Sequence, residues 1–120
     1  LFDASRHTTR FAGEVKGFDP LNWIEKKDVK KCARFIQFAL AATAMAMEES
    51  GLTVTPENAT RIGASIGSGI GGFEVIEREN RILLERGPDR VSPFFILSAI
   101  VNLAAGHVSV RYGVKGPNSA

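Results

Sequence analysis

An α/β fold with a buried, mainly parallel sheet is the architecture that this sequence predicts. Residues 62–66 form a short apolar run, as in a strand that is covered on both faces. This run lies between two helical patterns, at 35–49 and 73–86, and strands that alternate with helices build parallel sheets. With 44% apolar and 23% charged residues in 120 positions, the chain has the composition of one ordinary folded domain.

The first half of the chain predicts three elements. Residues 9–18 alternate weakly around phenylalanine and valine, which predicts an edge strand, and the Asp-Pro pair that follows cannot continue a helix. A short basic helix is expected over 25–33. The run at 35–49 is apolar almost all round and rich in alanine. It predicts a helix that is packed on most sides and ends at Gly51.

The second half predicts two helices after the strand. The first covers 73–86 and ends at Gly87, and the second runs from Pro93 to about Tyr112 and ends at Gly113. The amphipathic pattern of the first helix rests on Phe73, Ile76, Glu77, Asn80, Leu83 and Leu84. The last residues, 116–120, close no element, so we expect the chain to be a piece of a longer protein.

Charge and cysteine content exclude several classes of protein. The formal net charge of +2 is too small to predict bulk binding to nucleic acid or to an anionic membrane. Polar residues interrupt the run 93–110, which therefore predicts a core helix and no membrane span. The single cysteine allows no internal disulfide and, with no visible signal peptide, favours a cytoplasmic protein.

The most informative segment is the glycine loop, residues 67–72. Gly67, Gly69 and Gly72 have the spacing G-x-G-x-x-G between a strand and a helix, as in a dinucleotide-binding loop. Asp89 even lies at about the distance of the acidic residue that holds the ribose. However, 87–93 contains two prolines and no apolar β run, so the second strand is missing, and no Gly-Lys-Ser or Gly-Lys-Thr supports a Walker loop. Dinucleotide binding is the weaker interpretation.

Two other interpretations of the glycine loop stay open. The glycines could serve only a tight strand-to-helix turn in which backbone packs against backbone. Alternatively, Ile70, a bulky β-branched residue between glycines, projects into a cavity and moves.

A set of motifs resembles one known family. They are Gly67-Ser-Gly-Ile-Gly-Gly72, Ser92-Pro-Phe-Phe95, Ile100-Val-Asn102, Ala105-Gly-His-Val-Ser109, Tyr112-Gly113 and Gly116-Pro117. In this order and spacing they resemble the N-terminal portion of the β-ketoacyl-acyl carrier protein synthases, type II. The resemblance covers essentially the whole chain. It implies that residues 1–120 are part of the N-terminal ketoacyl synthase domain, an incomplete piece of a layered α/β/α/β/α thiolase-like fold.

The resemblance also implies an acyltransferase activity for the complete protein. Such enzymes take an acyl chain from acyl carrier protein onto a cysteine, decarboxylate malonyl-carrier protein, and join the two by Claisen condensation in fatty acid elongation. No residue here matches that cysteine or the two assisting histidines, so we expect no catalytic residue within the chain and no activity from it alone. Cys32, His7 and His107 are interpreted as structural. No cofactor or metal is expected.

Seven residues match binding positions of the family. Gly69 and Ile70 correspond to a gate at the end of the acyl pocket, and Phe95 and Ile96 match positions that approach the pocket across a homodimer interface. The alternative is that Phe94, Phe95 and Ile96 are simply residues of the hydrophobic core.

The other three matched residues are lysines. Lys27, Lys30 and Lys31 match the basic helix on which the family docks its acidic carrier protein, although in an unknown protein such a cluster is more often a solvated face. Asp89 stands where relatives often carry a basic residue, which weakens that edge of the surface. Two rival functions remain, a non-catalytic chain-length-factor subunit of a polyketide synthase and a dinucleotide-binding domain. A merely structural α/β domain is a third possibility, and no nucleic acid or membrane partner is expected.

Overall fold

The computed structural model describes residues 3–120, in which one short parallel strand pair packs on a helix among several. The helices are α1 (Lys26–Val29), α2 (Arg34–Ser50), α3 (Phe73–Arg86), α4 (Phe95–Ala99) and α5 (Leu103–Tyr112). The strands are β1 (Ala64–Ser65), between α2 and α3, and β2 (Asn118–Ser119), after α5. Single 3-10 turns occupy Pro20–Asn22, Ala59–Arg61 and Pro88–Arg90. Among the described residues, no helix is both long enough and apolar enough to cross a membrane.

The two strands pair in parallel, which confirms the predicted orientation. The strand predicted over 62–66 is only two residues long, and the prediction of a sheet buried on both faces is wrong for residues 3–120, because Ser65 and both residues of β2 are exposed. Ala64 lies opposite Asn118, and the Ala64 amide donates to the Pro117 carbonyl at 2.9 Å. Gly116 permits this approach, because a Cβ built on it would lie 2.7 Å from the carbonyl oxygen of Ile62. The expectation that 116–120 close no element is therefore wrong. These residues have a strand partner that lies more than fifty positions earlier in the chain, so no local pattern marks them.

The main core lies between α2 and α5. Ile36 and Leu40 of α2 are buried against α5, where Ala105 is completely buried and lets the two helices approach closely. Gly51 ends α2 in the left-handed conformation, φ 64°, as predicted. The predicted packing on most sides is wrong, because the buried residues of α2 form one stripe and Met45 is exposed.

Two other predicted elements are wrong. Residues 9–18 are irregular, and Phe11 is 87% exposed. A strand there would bury no apolar face, so nothing stabilises it. The predicted helix over 93–112 is interrupted at Ile100, whose backbone is extended (φ −77°, ψ 142°). The carbonyl of Ala99 accepts the amide of Gly72 at 2.9 Å. The glycine loop therefore takes the acceptor that a continuous helix would use.

Helix α3 has the predicted bounds but buries a different face. Val75 and Glu79 are its buried residues, whereas Phe73 is exposed and Leu84 is 78% exposed. The apolar positions named from the sequence therefore lie mostly at the surface of the described chain. The end at Gly87 is confirmed.

Candidate functional site

The glycine loop connects β1 to α3 and packs on the end of α4. Gly71 has a positive φ of 76°, and its amide donates to the Ser68 hydroxyl at 3.1 Å. A Cβ on Gly72 would lie 2.7 Å from the Ser98 carbonyl oxygen and 3.0 Å from the Ala99 Cα. The close approach expected from the sequence therefore exists, but the neighbour is the protein's own backbone.

The first two glycines of the dinucleotide pattern, Gly67 and Gly69, do not share this constraint. A Cβ on Gly67 or Gly69 would meet no atom within 4 Å. Asp89 lies in the 3-10 turn Pro88–Arg90, and α4 follows it directly, so no strand presents the acid to a nucleotide. Residues 3–120 therefore lack the second βα unit that dinucleotide binding requires.

The residues predicted to form an acyl gate lie on two adjoining segments. Ile70 is 64% exposed at the tip of the glycine loop, and Ile96 is 54% exposed on α4. Phe95 is half-buried, packs against the small core of Ala33, Val75 and Ala99, and lines a groove of about 430 Å³ on α3. Neither Ile70 nor Ile96 lines that groove. The structure brings the two segments together through Gly72, and the gate role itself stays a prediction.

The three predicted docking lysines differ in their surroundings. Lys27 pairs with Glu25 at 2.8 Å, and Lys31 pairs with Asp28 at 2.9 Å. Glu25 is the main cause of the raised pKa of Lys27. Lys30, at the end of α1, has no carboxylate within ion-pair distance among residues 3–120. The predicted helix over 25–33, with these lysines on one face, is wrong, because α1 ends at Val29 and Lys30 and Lys31 lie in the turn that follows. The spacing also did not reveal that two of the lysines are locally paired.

Cys32 and His107 line one cavity, of about 420 Å³, beside Trp23. Burial raises the pKa of the Cys32 thiol, and burial lowers the pKa of His107 while Asp28 opposes that change. A thiol with a raised pKa carries little thiolate, so Cys32 is a poor nucleophile. This environment fits the structural interpretation of both residues. No group of three or more potential metal-ligating side chains occurs within the described part of the chain.

Glu79 is a residue that sequence reasoning missed. It is only 3% exposed, and one carboxylate oxygen accepts the Ser92 amide at 2.8 Å. The other accepts the Nε of Arg78 at 3.1 Å. The Ser92 hydrogen bond is the main cause of its lowered pKa. Glu79 thus holds the segment that leads into α4. Its spacing of four from the buried Val75 was the available signal, and the exposed apolar residues of α3 obscured it.

The chain matches the family model described as Beta-ketoacyl synthase, N-terminal domain, over residues 2–120. It is 54% identical over 119 residues to the 3-oxoacyl-[acyl-carrier-protein] synthase 2 of Vibrio cholerae, an alignment that covers 99% of this chain and 29% of the relative. A relative of the same name from Coxiella burnetii is 48% identical over 117 residues, with 98% and 28% covered. The chain thus spans less than a third of the length of these curated relatives.

A solved structure agrees with these sequence matches. It is the AntDE:AntF complex, described as a type II PKS acyl-carrier protein in complex with its ketosynthase bound to the hexaketide. One of its chains superposes with a TM-score of 0.78 at 25% identity, over 88% of this chain and 30% of that chain. The predicted α/β class is confirmed, and the arrangement is part of the thiolase-like ketosynthase fold. The chain belongs to the β-ketoacyl synthase family.

Proposed function

We propose that this chain is the N-terminal part of an elongating β-ketoacyl-acyl carrier protein synthase of type II. The complete enzyme condenses a carrier-bound acyl chain with malonyl-carrier protein in fatty acid synthesis. The observation that carries the proposal is the 54% identity, over 119 residues, to a relative named 3-oxoacyl-[acyl-carrier-protein] synthase 2. In this proposal residues 1–120 are one part of a longer domain, and the complete protein is cytoplasmic and homodimeric.

The nucleophile of this reaction is proposed to lie outside the described residues. Cys32 is buried and its pKa is raised by burial, so it does not supply an activated thiolate. The contribution of this chain is instead to shape the acyl pocket and to bind the carrier protein.

The acyl pocket is proposed to use Gly69, Ile70, Phe95 and Ile96. Ile70 and Ile96 expose much apolar surface on two segments that Gly72 joins, and an acyl chain or the second subunit would remove that surface from water. Gly69 has open space around its Cα, which leaves the backbone beside Ile70 free to adjust. These two features support Ile70 as a movable wall of the pocket.

Acyl carrier protein is the proposed partner, and Lys27, Lys30 and Lys31 are the proposed docking residues. Charge at a docking site raises the encounter rate and orients the partner more than it adds affinity. Lys30 is the strongest of the three candidates, because Lys27 and Lys31 are already paired with acidic neighbours.

Condensation by the complete protein is the direct test. We expect 3-oxoacyl-carrier protein, detected by mass spectrometry, when acyl-carrier protein and malonyl-carrier protein are both present, and none when either is omitted. Carrier binding without this product would support the chain-length-factor alternative. Saturable micromolar binding of NADH, followed by fluorescence, would instead support a dinucleotide site and contradict the proposal.

A further inference from the structure

A recess beside α1 is lined by three basic residues from three segments. Lys30, Arg34 and Arg78 line a cavity of about 400 Å³ between the α1–α2 turn and α3. Gln37 and Glu74 also line it. We refer to this cavity, defined by these five residues, as the basic recess.

Lys30 sits on a turn that is held in place from inside. The side-chain amide of Gln37 donates to the Val29 carbonyl at 3.2 Å and to the Cys32 carbonyl at 2.9 Å. These two bonds tie the last residues of α1 to the first turn of α2. Lys30, which lines the recess, therefore lies on a constrained backbone.

Arg34 presents a cation whose position is set by aromatic rings. Its guanidinium carbon lies 4.9 Å from the ring centroid of Phe38 and 5.6 Å from that of Phe18. The two rings pack edge to face with centroids 4.8 Å apart. Stacking on rings restrains a guanidinium while its N–H groups stay available for hydrogen bonds.

Two carboxylates lie close to these cations, and each has another partner. The Glu74 carboxylate accepts a hydrogen bond from the backbone amide of Arg34 at 3.1 Å, so it provides a partner for an amide that has none within α2. Glu79 accepts Arg78 Nε and the Ser92 amide, and it is buried beneath the surface. Three basic residues and two carboxylates that already have partners leave the recess with a net positive charge. The contact with Glu79 uses only the Nε of Arg78 and does not involve its terminal nitrogens.

We propose that the basic recess, through Lys30, Arg34 and Arg78, binds a surface carboxylate of the acyl carrier protein. The inference rests on the proposed function, which supplies an acidic partner that docks at Lys30. A concave site with several cations from different elements binds one acidic side chain more specifically than separate lysines on a flat face do. The docking surface would thus extend from α1 across the start of α2 to α3.

Titration of the complete protein with acyl carrier protein tests the recess independently of turnover. We expect R34Q and R78Q each to weaken binding about two- to fivefold, the effect of one exposed charge pair, and the loss to shrink in high salt. R34K keeps the charge without the planar guanidinium, so it should bind between wild type and R34Q. R86Q removes the same charge from the far end of α3 and should bind like wild type.

Three results would overturn the inference. They are unchanged binding by both R34Q and R78Q, an equal loss in R86Q, and no binding of carrier protein by the wild type. Turnover with a small pantetheine thioester serves as a check on folding, because such a substrate does not need the recess. A wild-type protein that binds carrier protein but makes no condensation product would contradict the proposed function only.

Discussion

Substitution of Gly72 by alanine tests whether the glycine loop is shaped by contact with α4. The φ of Gly72 is −83°, which alanine adopts without strain, so the substitution changes only the space that the residue occupies. The new Cβ would lie 2.7 Å from the Ser98 carbonyl oxygen, 3.0 Å from the Ala99 Cα and 3.1 Å from the Ala33 Cβ. Two of these three neighbours are backbone atoms, which cannot rotate away.

The expected loss of stability follows from two opposing effects. Overpacking of a tight contact costs about 1–3 kcal/mol. Replacement of glycine by alanine stiffens the unfolded chain and offsets about 0.4–1 kcal/mol of that loss. We therefore expect a net destabilisation of about 1 kcal/mol, and at most about 2.5 kcal/mol, from G72A. G69A is the matched control, because a Cβ there meets no atom within 4 Å and should leave stability unchanged or slightly raised.

Denaturant unfolding and hydrogen exchange of the complete protein measure this difference. The Gly72 amide donates to the Ala99 carbonyl at 2.9 Å, so G72A should speed exchange at this amide and in the first turn of α3. G69A should not. Equal stability and equal exchange in the two variants would refute the argument that α4 requires glycine at position 72.

Three further predictions concern the proposed gate, the docking lysines and the buried carboxylate. I70F in the complete enzyme should shorten the acyl chains it accepts, because the larger ring fills the pocket end, and an unchanged chain-length profile would remove the gate role. K30E should raise the KM for carrier protein about two- to fivefold and more than K27E does, because Lys27 is already paired with Glu25; equal effects would show that local pairing is irrelevant. The pKa of Glu79 is lowered below its ordinary 4.5, so its stabilising effect is complete above that pH and is lost as the pH falls through the folded-state value. Unfolding curves measured from neutral to acidic pH should therefore fall more steeply for wild type than for E79Q, and parallel curves would contradict the prediction.

Elements with strong local signals were predicted accurately. Helix α3 has the expected bounds because glycines flank it on both sides, at Gly72 and Gly87. Helix α2 ends at Gly51 for the same reason, since glycine adopts the left-handed conformation with little steric cost. The weak alternation over 9–18 had no comparable signal, and it does not form a strand.

The candidate site was predicted in its parts rather than in its arrangement. The sequence singled out the glycine loop and the segment of Phe95 and Ile96, and the structure joins them through Gly72. It did not indicate Glu79, or that Lys27 and Lys31 are paired while Lys30 has no ion-pair partner in the part of the chain that the structure describes. Such features depend on side-chain positions that spacing along a helix does not specify.

The order of residues was enough to give the family, the α/β class, the ends of α2 and α3 and the positive charge of α1. Each of these depends on motifs or on neighbours within a few positions. Three features became visible only in the folded chain. They are the break at Ile100, the pairing of β1 with β2, and the fact that Gly72 is sterically constrained whereas Gly67 and Gly69 are not. Each of these arises where segments distant in sequence compete for the same backbone hydrogen bonds or the same space. Steric exclusion and hydrogen-bond pairing between such segments act only after the chain has brought them together.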